Sequence, residues 1–125
     1  MARRILVVDD EAVLRMLISR AFRERGYEVV EAADGLAGLD VARSASVPFD
    51  LVVTNSHMPH MDGAHLAERL RELDPTLPII HLSGSHSGRG SRIMPADVPT
   101  ILKPFDIWDL VAEAETLIAQ REAAD

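Results

Sequence analysis

Four short stretches carry the side chains on which chemistry could rest. Val8-Asp9-Asp10-Glu11 closes an apolar run with three acids, and Leu51-Val52-Val53-Thr54-Asn55 closes another with a hydroxyl and an amide. Leu82-Ser83-Gly84 ends in a small hydroxyl, and Leu102-Lys103-Pro104-Phe105 ends in a lysine. Paired carboxylates offer the hard oxygen ligands that a small divalent cation such as Mg²⁺ takes alongside retained waters. Metal and lysine together can neutralise the oxygens of a phosphoryl group in transfer. Each stretch alone has a blander reading. Adjacent acids are often a helix cap with a solvated neighbour, a lone lysine is a surface residue, and a serine after a strand is a turn residue.

The elements that must position these side chains alternate. Residues 4–8 are a nearly continuous apolar run, as in a strand buried on both faces. Leu14, Leu17, Ile18, Ala21 and Phe22 then recur at helical spacing from Glu11 to Arg25, with Asp9 or Asp10 near the N-cap and Gly26 at the end. Tyr27–Val30 reads as a second strand, and Asp34-Gly35 opens a helix through Leu36, Leu39 and Ala42. Leu51–Thr54 is a third strand. Asp62 caps a helix with Leu66, Leu70 and Leu73 inward, stopped at Asp74-Pro75 because proline disfavours the α region in the residue before it. Pro78–Leu82 is a fourth strand.

Alternation of this kind means right-handed crossovers and a parallel sheet, whose carboxyl-end edge is where ligands bind. The four stretches all fall on that edge. The rhythm breaks after Leu82. Ser83–Thr100 holds three glycines, four serines and two prolines with no sustained apolar stripe. A long loop is expected there, with at most a short helical turn near Arg92–Met94. Ile101-Leu102 gives a brief fifth strand. Asp106 caps a last helix that turns Ile107, Leu110, Val111, Ala114, Leu117 and Ile118 to the sheet, with Asp109 approximating a capping box and 121–125 fraying.

A chain of 125 residues with 47% apolar and 26% charged content fits one ordinary globular domain, here 1–125. No apolar run approaches the roughly 18 residues that span a bilayer, and the run after Arg3-Arg4 is too short for a secretory signal. The net charge of −7 argues against nucleic acid, which demands clustered Lys and Arg. The absence of cysteine fits a cytoplasmic setting.

The fragments VVDDE, MPHMDG, LSG and LKPF, in this order and spacing, resemble a receiver domain of two-component response regulators, and the resemblance covers the whole chain. It implies an α/β fold, a doubly wound five-stranded parallel sheet of order 2-1-3-4-5 flanked by helices. Here the fourth helix would be degenerate or replaced by the loop. It also implies a phosphorelay: phosphoryl transfer from a sensor histidine kinase or phosphotransfer protein to an aspartate on the third strand, without enzymatic turnover of a small substrate. Carried over by position, Asp9, Asp10, the residue at 55 and the backbone carbonyl of His57 hold Mg²⁺. Ser83 is the hydroxyl that follows the phosphoryl group, Lys103 pairs with it, and the Lys103–Pro104 bond is cis.

Two positions depart from the pattern. The acceptor aspartate is replaced by Asn55, a neutral and poor nucleophile, so phosphorylation there is not expected and Mg²⁺ should bind more weakly. Residue 55 is then either natural to an atypical receiver or a substitution that blocks phosphorylation. Thr100 stands where the family has a mobile Tyr or Phe, which puts the usual output face in doubt and leaves the Ser83–Thr100 loop as a candidate responsive element. Ser56 as a substitute acceptor is weaker than Ser56 as an ordinary loop residue. Zinc on His57, His60 and His65 is disfavoured without cysteines and across a proline turn. His81 reads as a half-buried polar residue of the core, and Trp108 as a packing or interface residue.

The leading expectation is a stand-alone receiver, monomer or weak homodimer, passing its message to a downstream protein by contact. The alternative is a pseudo-receiver that binds partners without ever taking phosphate. A Mg²⁺-dependent phosphatase would need its acids two residues apart. A flavin site would need a Ser/Thr-rich loop where Asp9-Asp10-Glu11 would repel phosphate.

Overall fold

The computed structural model describes residues 2–84 and 93–124. Five strands, β1 Arg4–Val8, β2 Glu28–Ala32, β3 Leu51–Asn55, β4 Ile79–Ser83 and β5 Thr100–Leu102, form one sheet. Its order is β2-β1-β3-β4-β5, and every pairing is parallel. Among the described residues there are four helices: α1 Ala12–Glu24, α2 Gly35–Ser44, α3 Gly63–Leu73 and α4 Ile107–Ala124.

Alternation along the central strands splits the core in two. Ile5 and Val7 of β1, with Leu51 and Val53 of β3, pack on Ile18 and Phe22 of α1 and Leu110, Ala114 and Ile118 of α4. Leu6, Val8 and Val52 pack on Leu39 of α2 and Leu66, Ala67 and Leu70 of α3. Full burial of each large side chain contributes about 1.5–3 kcal/mol, so these two layers fix β1 and β3 and whatever stands at their ends.

Several sequence expectations shift at the element ends. Glu11, not Asp9 or Asp10, occupies the N-cap position of α1, and it makes no side-chain cap bond. Asp9 instead accepts from the Glu11 backbone N–H. Leu17 and Leu73, placed inward by periodicity, are 41% and 51% exposed. Each lies at the margin of its helix's apolar stripe, where Ile18 and Leu70 already fill the contact with the sheet. The last helix continues to Ala124 rather than fraying at Arg121, and Arg121 pairs with Asp74 at 2.7 Å. Asp34 and Asp62 cap α2 and α3 through the N–H of Ala37 and His65. The Asp106 carboxylate accepts from Trp108 N, one residue short of capping-box spacing. Of the expected turn near Arg92–Met94, Arg92 lies outside the described residues, and Ile93 and Met94 are not helical.

Candidate functional site

The parallel register delivers the four stretches to one edge. Val8 pairs with Thr54, Asn55 with Leu82, and Ser83 with Leu102, so Asp9, Asn55, Ser83 and Lys103 follow at the ends of adjacent strands. Asp9 continues the buried run of β1 and is fully buried. Its Oδ1 accepts from Glu11 N at 2.8 Å, while Oδ2 has no hydrogen-bond partner among the described residues. Burial pushes the Asp9 carboxyl above its usual range, against the opposing pull of the Glu11 N–H and of Lys103. Lys103 Nζ lies 3.9 Å from Asp9 Oδ2 and donates to Glu11 Oε1 at 3.1 Å. The lysine is held in place by its own backbone, since Lys103 N donates to Ser83 O at 2.8 Å. The Lys103–Pro104 bond is cis.

Asn55 is 6% exposed at the centre of this group. Its Nδ2 donates to Asp10 Oδ1 and to the His57 carbonyl, each at 3.2 Å. Both partners are pure acceptors, which fixes the nitrogen rather than the oxygen of the amide on that side. The loop that follows is pinned at both ends by close backbone approach. A Cβ on Gly63 would stand 2.2 Å from the Asn55 carbonyl oxygen, and one on Gly35 would stand 2.3 Å from that of Met61. Gly63 N donates to Ser56 O at 2.9 Å, so α3 starts hard against the end of β3.

Asp9, Asp10, Asn55, the His57 carbonyl and Lys103 therefore converge, and Ser83 joins them through its backbone bond to Lys103. The oxygen donors fit Mg²⁺: two carboxylates and a carbonyl are hard ligands, and the buried Oδ2 of Asp9 has no hydrogen-bond partner among the described residues, only the Lys103 ammonium at 3.9 Å. The amide at 55 fits less well, because it turns N–H toward the oxygens a cation would use. His57, His60 and His65 do not gather; among the described residues no three His, Cys, Asp or Glu side chains are poised around a metal ion.

Two residues were named from sequence without the partners they take, Glu11 as the third acid of its stretch and His81 as the half-buried polar residue of the core that it is. Glu11 is the hydrogen-bond acceptor of Lys103, a role hinted at only by its place as third acid in VVDDE. On β4, His81 Nε2 bonds the Ser56 hydroxyl and Nδ1 bonds Thr100 Oγ1 at 3.1 Å, joining the loop after β3 to the edge strand. Burial, with the nearby His57, pushes the His81 imidazole below its usual value. A threonine where an aromatic is usual, opposite a histidine one strand away, was the available signal.

A doubly wound parallel sheet whose carboxyl edge gathers acids, a hydroxyl and a lysine is the arrangement that the receiver resemblance implied. The chain matches the response regulator receiver domain over residues 5–115, and it belongs to that family, a receiver of two-component signalling. It is 33% identical over 118 residues to the response regulator receiver protein CpdR of Brucella abortus, covering 93% of this chain and 97% of CpdR. It is 33% identical over 120 residues to the sensor kinase CckA of the same organism, covering 94% of this chain but only 13% of the kinase. The response regulator TrrA of Thermotoga maritima, solved in complex with Mg²⁺ and BeF, superposes with a TM-score of 0.77 at 29% identity, covering 92% of this chain and 98% of TrrA. Among the described residues no helix is long and apolar enough to cross a membrane.

Proposed function

We propose that residues 1–125 act as a single receiver module that signals by protein contact, with Asn55 at the position of the phospho-acceptor. The reading rests on one observation, the bond of Asn55 to Asp10 next to the ion pair of Asp9 with Lys103. In this reading Asp9, Asp10 and the His57 carbonyl hold Mg²⁺, Lys103 neutralises the outer oxygens of a phosphoryl group, and Ser83 offers its hydroxyl to them. Bound Mg²⁺ would supply the positive charge that a phosphoryl group's oxygens require. An amide has no nucleophilic charge and forms no acyl phosphate, so this chain takes no phosphoryl group at residue 55. It also brings one negative charge fewer to the cation than aspartate would.

The partners are then a sensor histidine kinase or phosphotransfer protein and a downstream protein, met in the cytoplasm, and the domain works as a regulator rather than an enzyme. A pseudo-receiver that binds partners irrespective of phosphate is the second reading, favoured by the satisfied hydrogen bonds of the Asn55 amide.

The test is to offer a small phosphodonor and Mg²⁺ to the unaltered chain and to Asn55→Asp, and to follow intact mass. Asn55→Asp is expected to gain one hydroxylamine-labile phosphoryl group and the unaltered chain none. An Asn55→Asp chain that stays unmodified would sink the receiver chemistry and leave the pure binding module.

A further inference from the structure

We propose that the Asn55 amide is a latch that takes the place of the divalent cation. By donating to Asp10 and to the His57 carbonyl, it engages two oxygens that would otherwise hold the metal, and it sets the loop after β3 without one. The inference rests on the receiver reading, which supplies the cation. It differs from a simple loss of charge, because it gives the amide nitrogen an active part.

The two bonds run to acceptors that have no proton of their own, at 3.2 Å each. Asn55 is 6% exposed, so the amide has little access to water as an alternative partner. Turning it round would set its oxygen against the Asp10 carboxylate and the His57 carbonyl, and would strip its two N–H groups of these partners. The loop has little slack to follow a metal instead. Gly63 leaves no room for a Cβ against Asn55 O, and the Met61 carbonyl lies against Gly35 in the same way. A carboxylate at 55 would repel both oxygens until a cation arrived, whereas the amide holds them at once. The latched domain therefore presents one loop arrangement, and a partner that reads this loop binds with an affinity insensitive to Mg²⁺.

Replacement of Asn55 by alanine separates latching from charge loss, since both residues are neutral. A latch must be undone before the metal enters, so Mg²⁺ should bind Asn55→Ala about tenfold tighter than the unaltered chain, the order expected for giving up two hydrogen bonds. If the amide only lacks charge, Asn55 binds Mg²⁺ as tightly as Ala, or more tightly by lending its oxygen as a ligand. Either result overturns the proposal. The measurement is a Mg²⁺ titration of the full chain by ¹H–¹⁵N spectra, read at the amides of residues 56–62.

Should Asn55→Ala fail to fold, Asn55→Ser carries the same comparison. Amide exchange of 56–62 in the unaltered chain should also be equal with millimolar Mg²⁺ and with a chelator, and slower exchange in Mg²⁺ would count against the latch. Asn55→Asp keeps the two readings apart. If it binds Mg²⁺ and takes a phosphoryl group while Asn and Ala bind Mg²⁺ alike, the latch alone fails. If it does neither, the receiver reading fails.

Discussion

The two walls of the strand-end site are built differently. The inner wall, Asp9 and Asn55, ends the two central strands, and both residues are buried with helices packed on each face of the sheet. The outer wall, Ser83 and Lys103, comes from β4 and from β5, an edge strand of three residues with no fully buried member. Lys103 is positioned by one backbone bond to Ser83 and by ion pairs with Asp9 and Glu11, the latter 62% exposed. Core packing therefore sets the inner wall and also Ser83, which is buried at the end of β4, while short-range polar contacts set Lys103.

The contrast is broken most directly by matched truncations. Ile5→Ala in β1 should cost about 2–5 kcal/mol by chemical denaturation, the range for a fully buried isoleucine. Ile101→Ala in β5, whose side chain is only half-buried, should cost less than half as much. Equal costs would mean that the outer strand is as deeply anchored as the inner.

Gly63→Ala comes next. Its Cβ would overlap the Asn55 carbonyl, so either α3 or the end of β3 must move, at about 1–3 kcal/mol. The spectral shifts should centre on residues 55–57 and leave β5 unmoved.

The smallest effect belongs to the outer half. His81 has its folded pKa below the usual 6.5, so between that lower value and 6.5 the unfolded chain binds more protons than the folded one. Its contribution is complete above 6.5 and is lost as pH falls through the window. His81→Leu should flatten the stability slope below 6.5, and the His81 ring should titrate below 6.5 by NMR. A midpoint at or above 6.5 would contradict the burial argument.

Much of the fold was legible because periodicity reports burial directly. The nearly continuous apolar run at 4–8 predicted a strand covered on both faces, 51–54 read as a further strand, and the alternation with helices predicted a parallel sheet, while the strand order was what the receiver resemblance implied. Where periodicity misled, at Leu17 and Leu73, it did so at helix margins, because a repeat of 3.6 defines a stripe but not how wide the neighbour is. The acids, hydroxyl, amide and lysine were recognisable as strand-end residues, and the placing of Asn55 at the acceptor position was an expectation that the receiver resemblance carried.

Sequence by itself determined which residue types the edge carries and that residue 55 cannot become an acyl phosphate, since both are properties of composition and order. It could not say which way the Asn55 amide faces, that Glu11 rather than a solvent anion meets Lys103, or that His81 bridges Ser56 and Thr100. Those were decided in three dimensions, because they depend on register and side-chain direction between segments far apart in the chain. An offset of one residue in a parallel pairing would turn each of these groups to the opposite face.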